Sequence, residues 1–306
     1  MRMRIADCGL RNGGRHLPGN GPAIPHSALR IPHSHVPPVL CYHRVGGPLE
    51  LGVTRVARSV FERQMRALAE AGWRTLTLAQ FADAVRYPRP TPDAPRPLRY
   101  PRPTPDARRP FLLTFDDGYA SLAEHAFPVL ADLGFTATTF LITDYVGKTN
   151  GWDVCYTWRP LAHLSWETVD AWAGRGFDFG SHGAAHRRLT WLGDAAVADE
   201  LGRSRDALGR RLGAGAARAV AYPFGAVDQR VAGLARAAGY ALGFGGVRGD
   251  GAGLTLSRVP VYAWDVASVP FVLRADRLGA VGRLVAHVAN RCAVGTSVIK
   301  GLGAWG

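Results

Sequence analysis

The sequence has little lysine, little cysteine and no long apolar run. Only two of its 37 basic side chains are lysines. No stretch approaches the roughly 18 apolar residues of a membrane helix, and no apolar segment follows the basic N-terminus as it would in a signal peptide. The cysteines form no C-x-x-C pair, which leaves a zinc ribbon and a redox dithiol without support. They stand far apart in the sequence, at Cys8, Cys41, Cys155 and Cys292.

These absences bear on where the protein works. Four widely spaced cysteines in a chain of 306 residues are typical of reduced, partly buried thiols. The sequence as given therefore predicts a cytoplasmic protein, and an exported one if the start codon is misplaced. A hydrophobic content of 47% supports a large core, in one sizeable domain or two small ones. The sequence leaves the oligomeric state open.

The net charge of +13 raises the question of a nucleic-acid partner. Residues 1–110 carry 18 basic and 7 acidic side chains, so the excess belongs to the front of the chain. The arginines there are scattered among proline and glycine and do not line a helix face, which is typical of a solvated segment. We therefore expect no nucleic-acid partner.

The composition divides the chain into a domain with two appended segments and one insertion. Residues 1–37 are rich in proline, glycine, histidine and arginine and predict a disordered basic tail. The folded domain is expected over residues 38–275, and residues 276–306 form a C-terminal extension. Within the domain, an identical octet begins at Tyr87 and again at Tyr100. Its proline density predicts an extended insertion over residues 87–110.

Strand and helix patterns alternate through the domain. The strand FLLTF at 111–115 is apolar throughout, as in a buried parallel sheet. Helical patterns run over 59–71, with Ser59 as the expected N-cap, and over 195–212. Repeated strand–helix units over about 200 residues predict an α/β fold with a parallel sheet, open or closed into a barrel.

Candidate catalytic residues follow the strands, because active sites of such folds lie at the carboxyl ends of the strands. Asp116 and Asp117 come directly after FLLTF. Neighbouring side chains of an extended segment point opposite ways, so one carboxylate is expected to bind a metal while the other faces substrate. A helix cap with a turn aspartate is the structural alternative.

His182 and His186 follow the strand-like segment FDF. Two imidazoles four residues apart lie on one face of a turn or helix and can converge on one ion. A third strand-like segment ends in AYPFG at 221–225, a turn whose backbone N–H could face a developing oxyanion. A simple turn is the alternative there.

The ordered set TFDDG, SHGAAHRRL and AYPFG resembles the motifs of the polysaccharide deacetylases, carbohydrate esterase family four. The resemblance runs from VLCYHRV near Val39 to LSRVPV near Val261. It implies a distorted (β/α) barrel of about seven strands. It also implies a divalent metal, zinc or another such as Co²⁺ or Ni²⁺, and hydrolysis of acetyl groups on an acetylated carbohydrate substrate.

The resemblance also assigns roles to residues of this chain. Asp117, His182 and His186 would hold the metal, and Asp116 would be the general base. The Tyr222 N–H would stabilise the oxyanion, and His43 would be the general acid.

Two departures from the family pattern stand out. The arginine two residues before the motif's proline is replaced by Ala221, and Arg218 or Arg258 could take its place. The late Leu-x-His motif is absent. The context of His287 predicts a packing residue. In the branch of the family that this sequence resembles, a histidine near the N-terminal strand can supply the acid, so the resemblance makes His43 the candidate.

Other functions fit parts of this pattern. A relative with the same fold could hydrolyse a non-sugar amide such as a cyclic ureide, or could bind carbohydrate without turnover. Iron oxygenases also use two histidines and a carboxylate, but their His-x-carboxylate spacing is absent from this site.

Overall fold

A computed structural model of the chain describes residues 36–48, 53–86, 109–151, 160–246 and 253–267, together with residues 270 and 273. Most of the predicted tail, insertion and C-terminal extension lies outside these ranges, as do His287 and three of the four cysteines. No helix within them combines the length and apolarity needed to cross a membrane.

Eight strands form one parallel sheet, with the seven-strand order β10-β1-β5-β6-β7-β8-β9 and with β4 beside β5. Two further strands, β2 and β3, pair separately. The strands are β1 Val39–Tyr42, β2 Arg44–Val45, β3 Arg55–Val56, β4 Trp73–Thr75, β5 Arg109–Phe115, β6 Thr138–Leu141, β7 Asp178–Ser181, β8 Ala219–Ala221, β9 Leu242–Phe244 and β10 Val259–Pro260.

Helices connect these strands and cover the outside of the sheet. They are α1 Arg58–Glu70, α2 Leu78–Arg86, α3 Ser121–His125, α4 Phe127–Asp132, α5 Trp166–Ala173, α6 Asp194–Leu212 and α7 Gln229–Ala237. The predicted alternation of strand and helix is confirmed, and so is the distorted barrel of about seven parallel strands. Strand β5 begins at Arg109, two residues inside the predicted insertion.

The segment around Leu256 closes the curled sheet through backbone hydrogen bonds. On one side, Leu256 N–H donates to the Gly243 carbonyl and the Leu256 carbonyl accepts from Gly245 N–H, both at 2.8 Å. On the other side, Val261 N–H donates to the Cys41 carbonyl of β1 at 2.8 Å. The last part of the described chain thus lies between β9 and β1.

Side chains alternate along each strand, so the apolar residues facing the interior of the barrel form a different cluster from those facing the outer helices. On β5, Leu112 belongs to the interior cluster with Phe140 and Phe244, whereas Phe111 and Leu113 pack against the outer helices. The interior cluster lies below the carboxyl ends of the strands. Polar side chains therefore occupy the level above it.

Two local predictions differ from the structure. Helix α1 begins one residue before Ser59, and Ala57 is its N-cap without a side-chain hydrogen bond, so Ser59 is not the cap. The apolar pattern from Ser121 to Leu133 predicts one helix, but the structure has two, α3 and α4, interrupted at Ala126. Pro128 lacks a backbone N–H, so it stands in the first turn of α4 and not in a helix interior.

The start of α2 at the amino-terminal end of the barrel is capped by Thr77, whose hydroxyl accepts from Gln80 N–H, and by Asp178 of β7. The Oδ2 of Asp178 accepts a hydrogen bond from Leu78 N–H at 2.6 Å across 100 residues of sequence. We expect Asp178→Ala to lower the free energy of unfolding by about 1 kcal/mol, the usual loss for a helix cap. Asp178→Asn keeps an acceptor and should lose less. Urea unfolding of both variants measures this, and equal losses would contradict the cap.

The same carboxyl makes the stability depend on pH. Burial raises the pKa of Asp178, although the hydrogen bond from Leu78 opposes this. A pKa that is higher in the folded than in the unfolded state means that ionisation disfavours folding. Compared with Asp178→Asn, the wild type should therefore lose stability as pH rises from about 3 to 7.

Candidate metal and catalytic site

The carboxyl ends of β1, β5 and β7 bring the predicted site residues together. His43 follows β1, Asp116 and Asp117 follow β5, and His182 follows β7, with His186 in the same loop. All but the half-buried His43 are buried, with relative exposures of 2–9%. Residues separated by up to 143 positions in the sequence thus share one end of the barrel.

Asp117, His182 and His186 form a compact group of potential metal ligands. Asp117 Oδ1 lies 3.4 Å from His182 Nε2 and 3.5 Å from His186 Nε2. These distances exceed the 2.7–3.2 Å of a usual N–H···O bond. They match the spacing of about 3.4 Å between two ligands of a tetrahedral ion whose bonds are near 2.0–2.1 Å. The donor set and its spacing therefore fit zinc.

Backbone strain is concentrated at this group. In the described ranges, the non-glycine residues with positive φ are Asp117 at 70°, His186 at 58° and Phe224 at 60°. The Phe224 ring centroid lies 4.7 Å from that of His186. Such conformations cost of order 1–3 kcal/mol each and persist where the surroundings impose them. Here the residues with such conformations are two predicted ligands, Asp117 and His186, and Phe224 beside His186.

The left-handed conformation of Asp117 changes the expected arrangement of the two carboxylates. Extended neighbours would point to opposite faces, but β5 ends at Phe115. Asp116 Oδ2 lies 3.8 Å from His182 Nε2, and Asp117 Oδ1 lies 3.4 Å from the same atom. Both carboxylates therefore face the site, because the chain turns between them.

Backbone carbonyls and a further histidine orient the ligands. His182 Nδ1 donates to the Ala221 carbonyl at 2.8 Å, which leaves Nε2 as the nitrogen facing the site. His163 Nδ1 donates to the Asp117 carbonyl, also at 2.8 Å. Sequence reasoning missed His163, which follows no recognisable strand pattern.

Burial and neighbouring charges shift the pKa values of all three potential ligands. Burial lowers the pKa of His182, but Asp116 and Asp117 outweigh it and the net shift is upward. Burial lowers the pKa of His186 to about 3, more than Asp117 raises it, so this imidazole is neutral. Burial raises the pKa of Asp117, but the nearby imidazoles outweigh it and the net shift is downward. Neutral imidazole and ionised carboxylate are the forms that bind a metal.

Arg258 is the partner of Asp116. Its Nη1 and Nη2 donate to the two Asp116 oxygens at 2.6 and 2.7 Å, and both side chains are about 95% buried. Burial raises the pKa of Asp116, but the Arg258 charge and hydrogen bonds outweigh it and hold that pKa well below its usual range. Arg218 is exposed before the amino end of β8. Of the two candidates, Arg258 is therefore the arginine that pairs with Asp116, in place of the motif arginine that Ala221 replaces.

Cys41 and His43 of the β1 segment also lie close to Asp116. The Cys41 thiol donates to Asp116 Oδ2 at 3.5 Å, and burial raises the pKa of this thiol well above its usual range. Potential ligand atoms of Cys41, His43 and Asp116 lie within 4.8 Å of one another. Arg258 already binds both Asp116 oxygens in this group.

Tyr222 does not present the predicted oxyanion donor. Its N–H donates to the Phe244 carbonyl at 2.9 Å, and its phenol donates to the Leu254 carbonyl at 3.0 Å. Its ring packs among residues of α6 and α7, because it alternates with the inward-facing Ala221. The structure therefore gives Tyr222 a packing role. In this turn, Ala221 and Phe224 are the residues that contact predicted ligands, Ala221 through its carbonyl to His182 and Phe224 through its ring to His186.

A family model described as polysaccharide deacetylase matches residues 104–243. This part of the chain is therefore similar to the polysaccharide deacetylases, in agreement with the resemblance seen in its motifs. The Bacillus subtilis protein named "Putative polysaccharide deacetylase YxkH" is 25% identical over 67% of this chain. The match spans 63% of that relative's length, slightly less than two thirds.

Solved structures share the fold. The Streptococcus pyogenes deacetylase PplD, in complex with acetate, is similar with a TM-score of 0.61 and 20% identity, covering 75% of this chain and 93% of that one. IcaB from Ammonifex degensii has a TM-score of 0.57 and 25% identity, covering 74% and 94%. The polysaccharide deacetylase BC0361 from Bacillus cereus has a TM-score of 0.57 and 24% identity, covering 74% and 65%.

Proposed function

We propose that this chain is a metal-dependent hydrolase that removes N- or O-linked acetyl groups from a poly- or oligosaccharide. The observation that carries the proposal is the ligand group of Asp117, His182 and His186 beside the Asp116–Arg258 pair. The match of residues 104–243 to the polysaccharide deacetylase family model supports an acetylated carbohydrate as substrate.

Two imidazoles and one carboxylate suit zinc, and Co²⁺ or Ni²⁺ is the alternative. Three protein ligands are typical of catalytic sites that keep a position for water or substrate. A zinc ion held there supplies water of lowered pKa and polarises the acetyl carbonyl. In this proposal, His182 and His186 bind through Nε2 and Asp117 through its carboxylate.

Asp116 is the proposed general base. The Arg258 guanidinium keeps this carboxylate ionised and fixes its orientation, so that it can accept a proton from the attacking water. His43 is the proposed general acid, since it is half-buried and close to Asp116. It would donate a proton to the leaving amine or hydroxyl as acetate forms.

Metal analysis of purified protein tests the ligand assignment without a substrate. We expect about one zinc per chain in the wild type and substoichiometric zinc in His182→Ala and His186→Ala, because each loses one of three protein ligands. His125→Ala is the control, since this imidazole belongs to no potential ligand group of the described residues. Zinc retained by both site variants would contradict the assignment.

Acetate release from an acetylated chitooligosaccharide tests the reaction. We expect release by the zinc-loaded protein, loss with a chelator and recovery with added zinc. Tight glycan binding without release would favour a non-catalytic carbohydrate-binding protein. Activity on a cyclic ureide but not on acetylated sugars would favour the amidohydrolase alternative.

A further inference from the structure

A buried carboxylate of α6 contacts the loop that carries both histidines. Glu200 is fully buried, and its Oε2 accepts hydrogen bonds from Ala184 N–H at 2.8 Å and from Ala185 N–H at 2.9 Å. Within the part of the chain that the structure describes, its ion-pair contact is Arg187 at 4.0 Å. Because a buried carboxylate needs polar partners, these two amides are its main compensation.

The loop from His182 to His186 is not helical, so its backbone amides need hydrogen-bond partners from outside the loop. Gly183 and His186 have φ values of 79° and 58°, so the two histidines do not share a regular helical turn. The carbonyls of Gly183 and Ala184 accept from the amides of Thr143 and Asp144 at 3.2 and 2.9 Å. The loop is thus held by neighbouring backbone on one side and by the Glu200 carboxylate on the other.

We propose that Glu200 is a positioning residue for the metal site, an inference that rests on the proposed function. Through Ala184 and Ala185 it holds the backbone between His182 and His186. The position of the ring nitrogens that face Asp117 depends on this backbone. Glu200 is neither a ligand nor a catalytic residue in this proposal. Charge-assisted hydrogen bonds are roughly twice as strong as neutral ones, which suits a strained loop.

Zinc affinity of the purified full chain tests this role. Competition with a chromophoric chelator should show Glu200→Ala binding zinc about 10–100 times more weakly than the wild type, the usual effect of removing an outer-shell partner. Glu200→Gln keeps a carbonyl oxygen for the two amides and should bind more tightly than Glu200→Ala. Equal affinity of Glu200→Ala and wild type would overturn the proposal. So would a Glu200→Gln affinity as weak as that of Glu200→Ala.

A matched variant separates positioning from general destabilisation. Leu208 is a fully buried residue of the same helix, about 12 Å from Glu200 along the helix axis. Leu208→Ala should lower the urea midpoint while leaving zinc affinity unchanged. Equal weakening of zinc binding by Leu208→Ala and Glu200→Ala would overturn the specific role of Glu200.

Zinc binding by the wild type shows whether a negative result contradicts the role of Glu200 or the metal site itself. If the wild type binds no zinc, the metal site fails, and the role of Glu200 fails with it. If the wild type binds zinc and Glu200→Ala binds it equally well, only the role of Glu200 is overturned.

Discussion

We expect Asp116→Asn to release acetate about 10²–10⁴ times more slowly than the wild type, the usual contribution of a general base. Asparagine has nearly the same shape and can still accept a hydrogen bond from Arg258, but it cannot take a proton from water. The ligand group of Asp117, His182 and His186 is unchanged in this variant. Zinc content should therefore stay at the wild-type level while acetate release falls.

The control for this loss is a carboxylate-to-amide change elsewhere. Asp178 lies at the opposite end of the barrel, where it caps α2. Asp178→Asn should therefore keep wild-type acetate release. If Asp116→Asn kept its activity at full zinc occupancy, Asp116 would not be the base.

Arg258→Met should lower the free energy of unfolding by about 3–5 kcal/mol at pH 7, the usual cost of removing one partner of a buried ion pair. Arg258 is 4% exposed and Asp116 is 3% exposed, so water cannot replace the lost guanidinium. Methionine fills part of the space without a charge. Urea unfolding measures the loss, and unchanged stability would contradict the buried pair.

Removing both charges should restore part of this stability. Asp116→Asn combined with Arg258→Met leaves no buried ion, so the double variant should be more stable than Arg258→Met alone.

The loss of stability in Arg258→Met relative to the wild type should depend on pH. The wild-type pair lowers the pKa of Asp116. The ion pair therefore stabilises the folded protein at pH values above the usual pKa of a carboxyl, and this stabilisation is lost as the pH falls. In Arg258→Met, burial without the guanidinium disfavours the ionised carboxyl, so the gap to wild type widens towards neutral pH.

The ends of the strands were the most predictable part of the site. Apolar strands followed at once by polar residues place Asp116 and His182 correctly, because parallel strands present their carboxyl ends at one edge. Helix α6 follows from the apolar periodicity of residues 195–212. Glu200 was accessible to the same reasoning, since it falls on the buried stripe of α6 with Val197, Leu201, Ser204 and Leu208.

Long-range pairing and local backbone conformation were less predictable. Pattern alone left Arg258 and Arg218 as equal candidates, because the choice depends on which segment closes the barrel. The left-handed conformation of Asp117 reverses the expected alternation of the two carboxylates. Alternation within the sheet also turns Tyr222 outward, although its place after β8 suggested a role in the site.

Barrel closure by the segment around Leu256 has a consequence for folding. The salt bridge between Asp116 and Arg258 spans 142 residues, so Asp116, the proposed base, gains its counterion only when distant parts of the chain have met. Contacts of such high sequence separation slow folding. An intermediate that has formed β5 and β6 but has not docked the Leu256 segment would carry Asp116 without its guanidinium partner. Formation of the proposed catalytic centre thus depends on docking of the Leu256 segment onto the sheet.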